Sequence, residues 1–133
     1  MRRWATMLIL VMLMVPTAWA GELAGVTMDD EVMVSGKTLQ LNGMGIRKKM
    51  WVKVYVAGLY LEEKTADADA AITAKGPKRV VWHFLTNKAT KKKMDAAWLE
   101  GFEGNSPQEY PALKERVDTL IGMFGDRTDG DIV

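Results

Sequence analysis

The sequence contains no cysteine, and His83 is the only histidine among its 133 residues. The absence of thiols excludes disulfide bonds, thiolate metal sites and cysteine nucleophiles, and one histidine cannot build a histidine-rich metal site. The sequence also lacks an excess of one charge, because its 18 Lys and Arg residues are nearly balanced by 17 Asp and Glu residues. A net charge of +1 gives no electrostatic footprint for a polyanion, so nucleic acid is not an expected partner. The length suits one domain of about 100–200 residues.

The first 20 residues have the layout of a signal peptide. Two arginines follow Met1, and an apolar run covers residues 7–15. An apolar run of about 7–15 residues is too short to span a bilayer of about 30 Å, and the small residues Ala18 and Ala20 suit a signal peptidase. We therefore predict cleavage between Ala20 and Gly21, a periplasmic or secreted location, and no stable membrane anchor after cleavage. An uncleaved anchor is the alternative.

Alternating apolar residues predict a β-hairpin near the start of the mature chain. Residues 31–34 and 37–41 both alternate, and Ser35-Gly36 between them is typical of a tight turn. Two glycines then interrupt the pattern within residues 42–45. We interpret this interruption as a second, glycine-containing turn.

Residues 51–61 form the clearest strand pattern in the sequence. The alternation puts Tyr55 on one face and Val54 and Val56 on the other, and both faces are largely apolar. Both faces must then be covered, which favours a position in the centre of a sheet. Residues 78–85 alternate in the same way and predict another strand.

Three segments have helical patterns. Residues 67–74 are rich in alanine and have Thr65 or Asp67 as candidate N-caps. Residues 90–102 and 111–124 carry apolar side chains at 3.6-residue spacing, which predicts two amphipathic helices. The last stretch, residues 125–133, is a polar turn region followed by the start of an apolar run.

Residues 42–62 together with residues 77–85 resemble the chalcone isomerase-like family. The resemblance is to its exported bacterial branch, in which a signal peptide precedes a glycine turn, an arginine and a strand of the form K-V-Y-x-x-G-L-Y-L. It covers roughly residues 24–133. It implies an α+β fold, an open-faced β-sandwich in which a curved antiparallel sheet is backed by a layer of helices, with a ligand cleft between the two layers.

The family normally continues with further strands beyond the point that corresponds to Val133. The resemblance therefore implies that C-terminal strands are missing and that residues 21–133 are a partial domain. Gene truncation, a frameshift or an incomplete sequence would look alike at this point.

The resemblance also indicates two ligand-binding residues, Arg47 and Tyr55. In the plant isomerases of the family, a cleft arginine and a threonine on the central strand polarise the substrate carbonyl. Arg47 matches the arginine by its place after the glycines, and Tyr55 falls where the strand threonine would lie. A solvated turn residue is the alternative for Arg47, and ordinary core packing is the alternative for Tyr55.

A tyrosine, a lysine and an asparagine complete the site of the plant enzymes, and they would fall in residues 90–101 of this sequence. No tyrosine occurs there, and Met94 and Ala97 stand at the approximate positions. We therefore expect no catalytic residues, no metal and no cofactor. An arginine and a phenol beside an apolar cleft are suited to a small amphipathic carboxylate such as a fatty acid.

Two other functions remain open. The first is a cofactor-independent isomerase, an intramolecular lyase of the chalcone isomerase type, in which Arg47 and Tyr55 stabilise oxyanion charge. The second is a structural or interaction module, or a non-functional fragment without a cleft.

Several other polar or aromatic residues are assigned to structure rather than chemistry. His83 has no nearby carboxylate in sequence and is expected to pack. The lysines at 91–93 are expected to form a solvated helix face, although anionic lipid headgroups are an alternative. Packing between sheet and helices is likewise expected for Trp51, Trp82 and Trp98, with the lining of a pocket as the alternative.

Overall fold

The computed structural model describes residues 21–133. The predicted signal peptide, residues 1–20, lies outside the described residues. The elements in chain order are β1 (Glu22–Leu23), β2 (Val26–Thr27), β3 (Glu31–Val34), β4 (Lys37–Lys49), β5 (Val52–Leu61), α1 (Ala68–Thr73), β6 (Arg79–Phe84), α2 (Lys91–Asn105) and α3 (Tyr110–Gly122). Strands β3 to β6 form a curled antiparallel sheet in sequence order, and the helices complete the predicted α+β fold.

Two hairpins turn through a small residue followed by glycine. Ala24 and Gly25 join β1 to β2 with φ values of 52° and 77°, and Ser35 and Gly36 join β3 to β4 with the same two values. Positive φ at both central residues is the requirement of the type I′ turn that suits the twist of paired strands. The predicted hairpin around Ser35-Gly36 is confirmed.

The interpretation of residues 42–45 as a turn is wrong. Strand β4 continues through them, and the register moves from Leu41 opposite Tyr60 to Gly43 opposite Leu59, which leaves Asn42 as an extra residue. The Asn42 carboxamide oxygen accepts a hydrogen bond from the Thr65 amide at 2.7 Å. Glycines within a strand commonly mark such a bulge, where the sheet bends.

Strand β5 lies between β4 and β6, so its predicted central position is confirmed. A second register shift changes which residues of β5 share a face. Arg47 lies opposite Tyr55, whereas the next residue, Lys48, lies opposite Lys53. Val54 is therefore the extra residue on β5. In a bulge the two residues that face one partner point to about the same side, so the strict alternation predicted for residues 51–61 fails at Val54 and Tyr55.

The two faces of the sheet are covered differently. On one face a buried cluster surrounds Val56 and Tyr60 of β5, and Met28 packs over Gly58 from the segment that follows β2. The buried members of this cluster are Val26, Met28, Leu39, Leu41, Val56, Tyr60 and Val81. The other face carries the helices, with Val117 and Ile121 of α3 buried.

The three predicted helices and the predicted strand at residues 78–85 are confirmed. The Asp67 carboxylate caps α1 by accepting hydrogen bonds from the amides of Asp69 at 2.8 Å and Ala70 at 3.1 Å. Within residues 21–133, no helix is long and apolar enough to cross a membrane.

Residues 131–133 run beside the outer edge of β6. The Phe84 amide donates to the Asp131 carbonyl at 2.9 Å, and Trp82 and Val133 exchange both of their backbone hydrogen bonds, at 2.8 and 3.0 Å. The apolar run noted at the end of the sequence thus extends the sheet past β6. Whether further strands follow Val133 stays a prediction.

Candidate functional site

A cavity of about 290 Å³ lies at one end of the sheet. The end of the β4–β5 hairpin forms one wall, and the segment after β6 and the first turns of α2 form the others. The lining residues are Arg47, Lys49, Met50, Val52, Val54, Thr86, Lys88, Ala89, Lys93, Met94 and Ala97. Pockets for small molecules usually measure about 300–1,000 Å³, so this one suits a small ligand or part of a longer one.

The cavity combines positive charge with apolar surface. Its charged side chains are Arg47, Lys49, Lys88 and Lys93, and none of its lining residues is acidic. Apart from Thr86, the other lining residues are apolar. Such a site can hold an anionic group by charge-assisted hydrogen bonds while its walls cover an apolar tail.

Local strand geometry explains how this lining arises. Arg47 and Lys49 are two residues apart on β4 and therefore share a face. In a regular strand Val52 and Val54 would lie on the face opposite to Tyr55. The bulge at Val54 brings both valines to the Tyr55 face, which Arg47 and Lys49 share.

The two residues predicted to bind ligand are cross-strand partners. Arg47 on β4 is paired directly with Tyr55 on β5, so both side chains leave the same face of the sheet. Arg47 is exposed and lines the cavity, whereas Tyr55 is half-buried and is not among the lining residues. The Tyr55 ring packs against Trp82 at 5.8 Å and Phe84 at 5.6 Å between ring centroids.

An aromatic cluster joins the sheet to the helices beyond the cavity. The Trp82 ring of β6 lies 5.4 Å from the Trp98 ring of α2, and the Trp98 ring stacks on Phe124 at 5.5 Å. The packing expected for Trp82 and Trp98 is therefore observed. The Trp98 indole N–H is buried without a hydrogen-bond partner. Because the rings occupy the space next to Tyr55, the open volume lies on the hairpin side of them.

The packing expected for Trp51 is wrong. Trp51 lies in the two-residue turn between β4 and β5 with 82% of its surface exposed, and its neighbour Met50 is 78% exposed. Sequence alternation placed Trp51 on a strand face, but the strand begins only at Val52.

The lysines at 91–93 differ in their contacts. The Lys91 ammonium donates to both carboxylate oxygens of Asp95 at 2.9 Å and to the Ile121 carbonyl at 3.3 Å, so it ties α2 to α3. Lys92 and Lys93 are exposed, and Lys93 also lines the cavity.

The sequence pattern did not predict that Lys49, Lys88 and Lys93 line the cavity. Lys49 could have been predicted, because it lies two residues after Arg47 and residues two apart on a strand share a face. Lys88 and Lys93 come from a loop and a helix turn, and only the tertiary arrangement of β6 and α2 brings them to Arg47.

A second cavity does not share the purely positive charge of the first. This cavity, also of about 290 Å³, lies at the opposite end of β5 and mixes Glu62 and Glu63 with Lys75 and Lys78. Glu62 is already paired with Lys37 at 2.9 Å. Within residues 21–133, no group of three or more His, Cys, Asp or Glu side chains could hold a metal ion.

Comparison with known proteins supports the resemblance seen in the sequence. No curated protein and no solved structure matches the chain. A family model described as chalcone isomerase-like matches residues 20–133, which is most of the chain. The chain therefore belongs to the chalcone isomerase-like family.

Proposed function

We propose that this protein is exported and binds a small amphipathic carboxylate, such as a fatty acid, without covalent chemistry. The observation that carries the proposal is the cavity, where four cationic side chains and no acidic one meet an apolar wall. A ligand with one negative end and one apolar end satisfies both parts of this lining.

Arg47 is the main carboxylate-binding residue in the proposal. Its guanidinium offers a planar pair of donors that matches the two oxygens of a carboxylate. Lys49 shares its strand face, and the two other lysines add positive charge from the opposite wall. Because no lining residue is acidic, all four cations of the lining attract a bound anion.

The apolar tail would lie along Val52 and Val54 of β5 and along Met94 and Ala97 of α2. Burial of apolar surface contributes about 25 cal/mol per Å², so even a short tail adds useful affinity. The resemblance implies that Met94 and Ala97 stand at about the positions where the plant enzymes carry polar site residues. That exchange favours binding of an apolar tail over isomerisation.

Tyr55 enters the proposal as the hydroxyl nearest to Arg47 in register. Its ring is committed to the aromatic cluster, but the hydroxyl lies at the far end of that ring. A carboxylate held by Arg47 would approach it from the cavity side.

Ligand extraction tests the proposal directly. Protein beginning at Gly21 would be purified from the exported fraction, extracted with organic solvent, and the extract analysed by mass spectrometry for fatty acids. We expect a co-purifying fatty acid from the wild type and a loss of it from Arg47→Ala. A folded protein that is empty and also ignores added fatty acid would contradict the proposal.

Lys53→Ala is the matched control for Arg47→Ala. Lys53 is an exposed cation on the same hairpin, but it is not among the cavity-lining residues. The control variant should retain the ligand, which would separate loss of the carboxylate partner from a general loss of positive charge.

The pairing of Arg47 with Tyr55 keeps one alternative function in view, an isomerase of the chalcone isomerase type. A guanidinium and a phenol on one sheet face could stabilise a developing oxyanion. Incubation with a chalcone, followed by its absorbance against the spontaneous rate, distinguishes this function from binding alone.

A further inference from the structure

The tip of the β4–β5 hairpin exposes two large apolar side chains. We define the tip as residues 47–53. Trp51 is 82% exposed and Met50 is 78% exposed, the two highest values among the large apolar side chains of residues 21–133. Adjacent exposed apolar side chains at a protruding turn commonly mark an interaction site.

The turn itself departs from the other two hairpin turns of the molecule. Those turns use Ala24-Gly25 and Ser35-Gly36, which tolerate positive φ at their glycines. The third uses Met50-Trp51, and Met50 has a φ of 56°. A long side chain is disfavoured in this region, so the apolar pair does not serve the turn.

The same tip carries only positive charge. Arg47, Lys48, Lys49 and Lys53 lie within it, and no acidic residue occurs anywhere in residues 43–61. Lys48 and Lys53 are directly opposed across the strand pair, an arrangement in which like charges destabilise a sheet. The ion pairs of residues 21–133 involve Lys37, Lys91 and Lys114, so none of them neutralises the tip.

We propose that this tip docks on the surface of an anionic lipid bilayer. Tryptophan prefers the interface between headgroups and acyl chains, where Met50 would insert beside it. The flanking cations would meet anionic headgroups, and each contributes to reversible surface binding. The charge and the paired apolar side chains together favour a bilayer over a protein partner, because a bilayer satisfies both without a shaped complement.

Docking would also position the cavity. Met50 and Lys49 belong both to the tip and to the cavity lining, so the cavity lies beside the proposed membrane contact. An amphipathic ligand could then pass between bilayer and cavity without crossing water. The docking itself does not depend on the proposed ligand, since the exposed apolar pair and the cations exist without it.

Vesicle binding tests the docking. The protein used begins at Gly21, the first residue of the predicted mature chain. The probes are sedimenting vesicles of phosphatidylcholine alone or of equal parts phosphatidylcholine and phosphatidylglycerol. We expect binding to the anionic vesicles only, a salt-dependent affinity, and quenching of tryptophan fluorescence by lipids brominated on their acyl chains.

Variants at the tip should reduce this binding. We expect Trp51→Ala to lower the vesicle partition coefficient about tenfold and to abolish most of the bromolipid quenching. Lys48→Gln and Lys53→Gln should each lower it about fivefold. The matched controls lie at the opposite end of β5: Ile72→Ala removes a side chain that is 73% exposed, and Lys75→Gln removes an exposed cation. Both controls should bind like the wild type.

A double variant separates binding from folding. Changing Met50→Gly together with Trp51→Asn puts glycine at the turn residue that has a positive φ and a polar residue in place of the indole. We expect this variant to keep or raise the thermal midpoint while vesicle binding is lost. Loss of binding in a protein that is no less stable cannot be attributed to unfolding.

Three results would overturn the docking. They are equal binding to neutral and anionic vesicles, tip variants that bind like the wild type, and a Trp51-dependent dimer in vesicle-free solution, which would make a second copy the partner. The variant Ala97→Trp distinguishes the two proposals, since it fills the cavity but leaves the tip unchanged. It should lose fatty acid and retain vesicle binding, whereas Trp51→Ala should do the reverse.

Discussion

Arg47 and Tyr55 are directly opposed on neighbouring strands, so the guanidinium and the phenol leave the same face of the sheet. Their surroundings nevertheless differ. Arg47 is exposed beside an apolar cavity, while the Tyr55 ring is held between Trp82 and Phe84. The pair therefore combines a charged side chain that is free to meet a ligand with a phenol whose position is fixed by packing.

This difference predicts unequal effects of removing the two polar groups. Tyr55→Phe deletes only a neutral hydrogen-bonding hydroxyl, so fatty-acid affinity should fall by no more than about tenfold. Arg47→Ala removes a charge-assisted partner worth about 1.5–3 kcal/mol, which corresponds to about 10- to 100-fold. Titration of a fluorescent fatty acid measures both. A larger effect for Tyr55→Phe than for Arg47→Ala would reverse the assigned roles.

Filling the cavity should block the ligand without unfolding the protein. Ala97 lines the cavity from α2, and an indole at this position would occupy the space of the proposed tail. We expect Ala97→Trp to abolish measurable binding in the same titration while the circular dichroism spectrum is unchanged. Ala96→Trp is the matched control, because Ala96 is the exposed neighbour on the same helix and is not a lining residue. Equal binding by both variants would place the ligand elsewhere.

Stability should decrease at high pH because of Tyr60. The Tyr60 hydroxyl donates to the Asp29 carbonyl at 2.8 Å, and burial together with the Asp29 charge raises its pKa above the ordinary value of 10.0. Above pH 10.0 the unfolded chain releases this proton while the folded protein still holds it. The free energy of unfolding is therefore independent of this group below that pH and falls as the pH rises beyond it.

Urea unfolding at a series of pH values checks this prediction, with Tyr60→Phe as the comparison. The variant should be less stable at neutral pH by about 0.5–1.5 kcal/mol, since the Asp29 carbonyl loses its partner. Its stability should then decline less steeply at alkaline pH. Parallel profiles for the two proteins would show that Tyr60 is not responsible for the decline.

A side chain at Gly58 should destabilise the protein. A Cβ atom there would overlap the Met28 sulfur and lie 3.2 Å from a Leu41 methyl carbon, so Met28 would have to move off the sheet. We expect Gly58→Ala to lower the free energy of unfolding by about 1–3 kcal/mol. Gly104→Ala is a suitable control because nothing lies within 4 Å of a Cβ at that helical position. It should leave stability unchanged or increase it.

The regular parts of the fold could be predicted from local pattern. The dipeptide Ser35-Gly36 is typical of the tight turn that it forms. Val117 and Ile121 follow a helical period, and both are buried. Each of these signals lies within a few residues of the structure that it specifies. The resemblance to a known family then supplied the arrangement of the elements and the position of Arg47.

The bulges and the exposed turn could not be predicted in the same way. Alternation alone does not show whether an extra residue stands at Asn42 or Val54, because a bulge depends on what the neighbouring strand places opposite. Trp51 is apolar and follows a strand-like pattern, so the sequence gives no reason to expect it in solvent. The cavity could not be predicted for the same reason, since its lining combines a bulged strand with residues from a loop and a helix.

The extra residue Val54 divides β5 into two parts that have different structural roles. Toward the hairpin, the strand supplies the wall of the cavity, and toward Leu61 it supplies the packed interior. Substitutions in the hairpin half can therefore change the cavity while the other half keeps the domain folded. Deleting the single codon for Val54 would keep Arg47 opposite Tyr55 and Lys49 opposite Val52, so the strand would become regular and the cavity wall would lose only the side chain that the bulge adds.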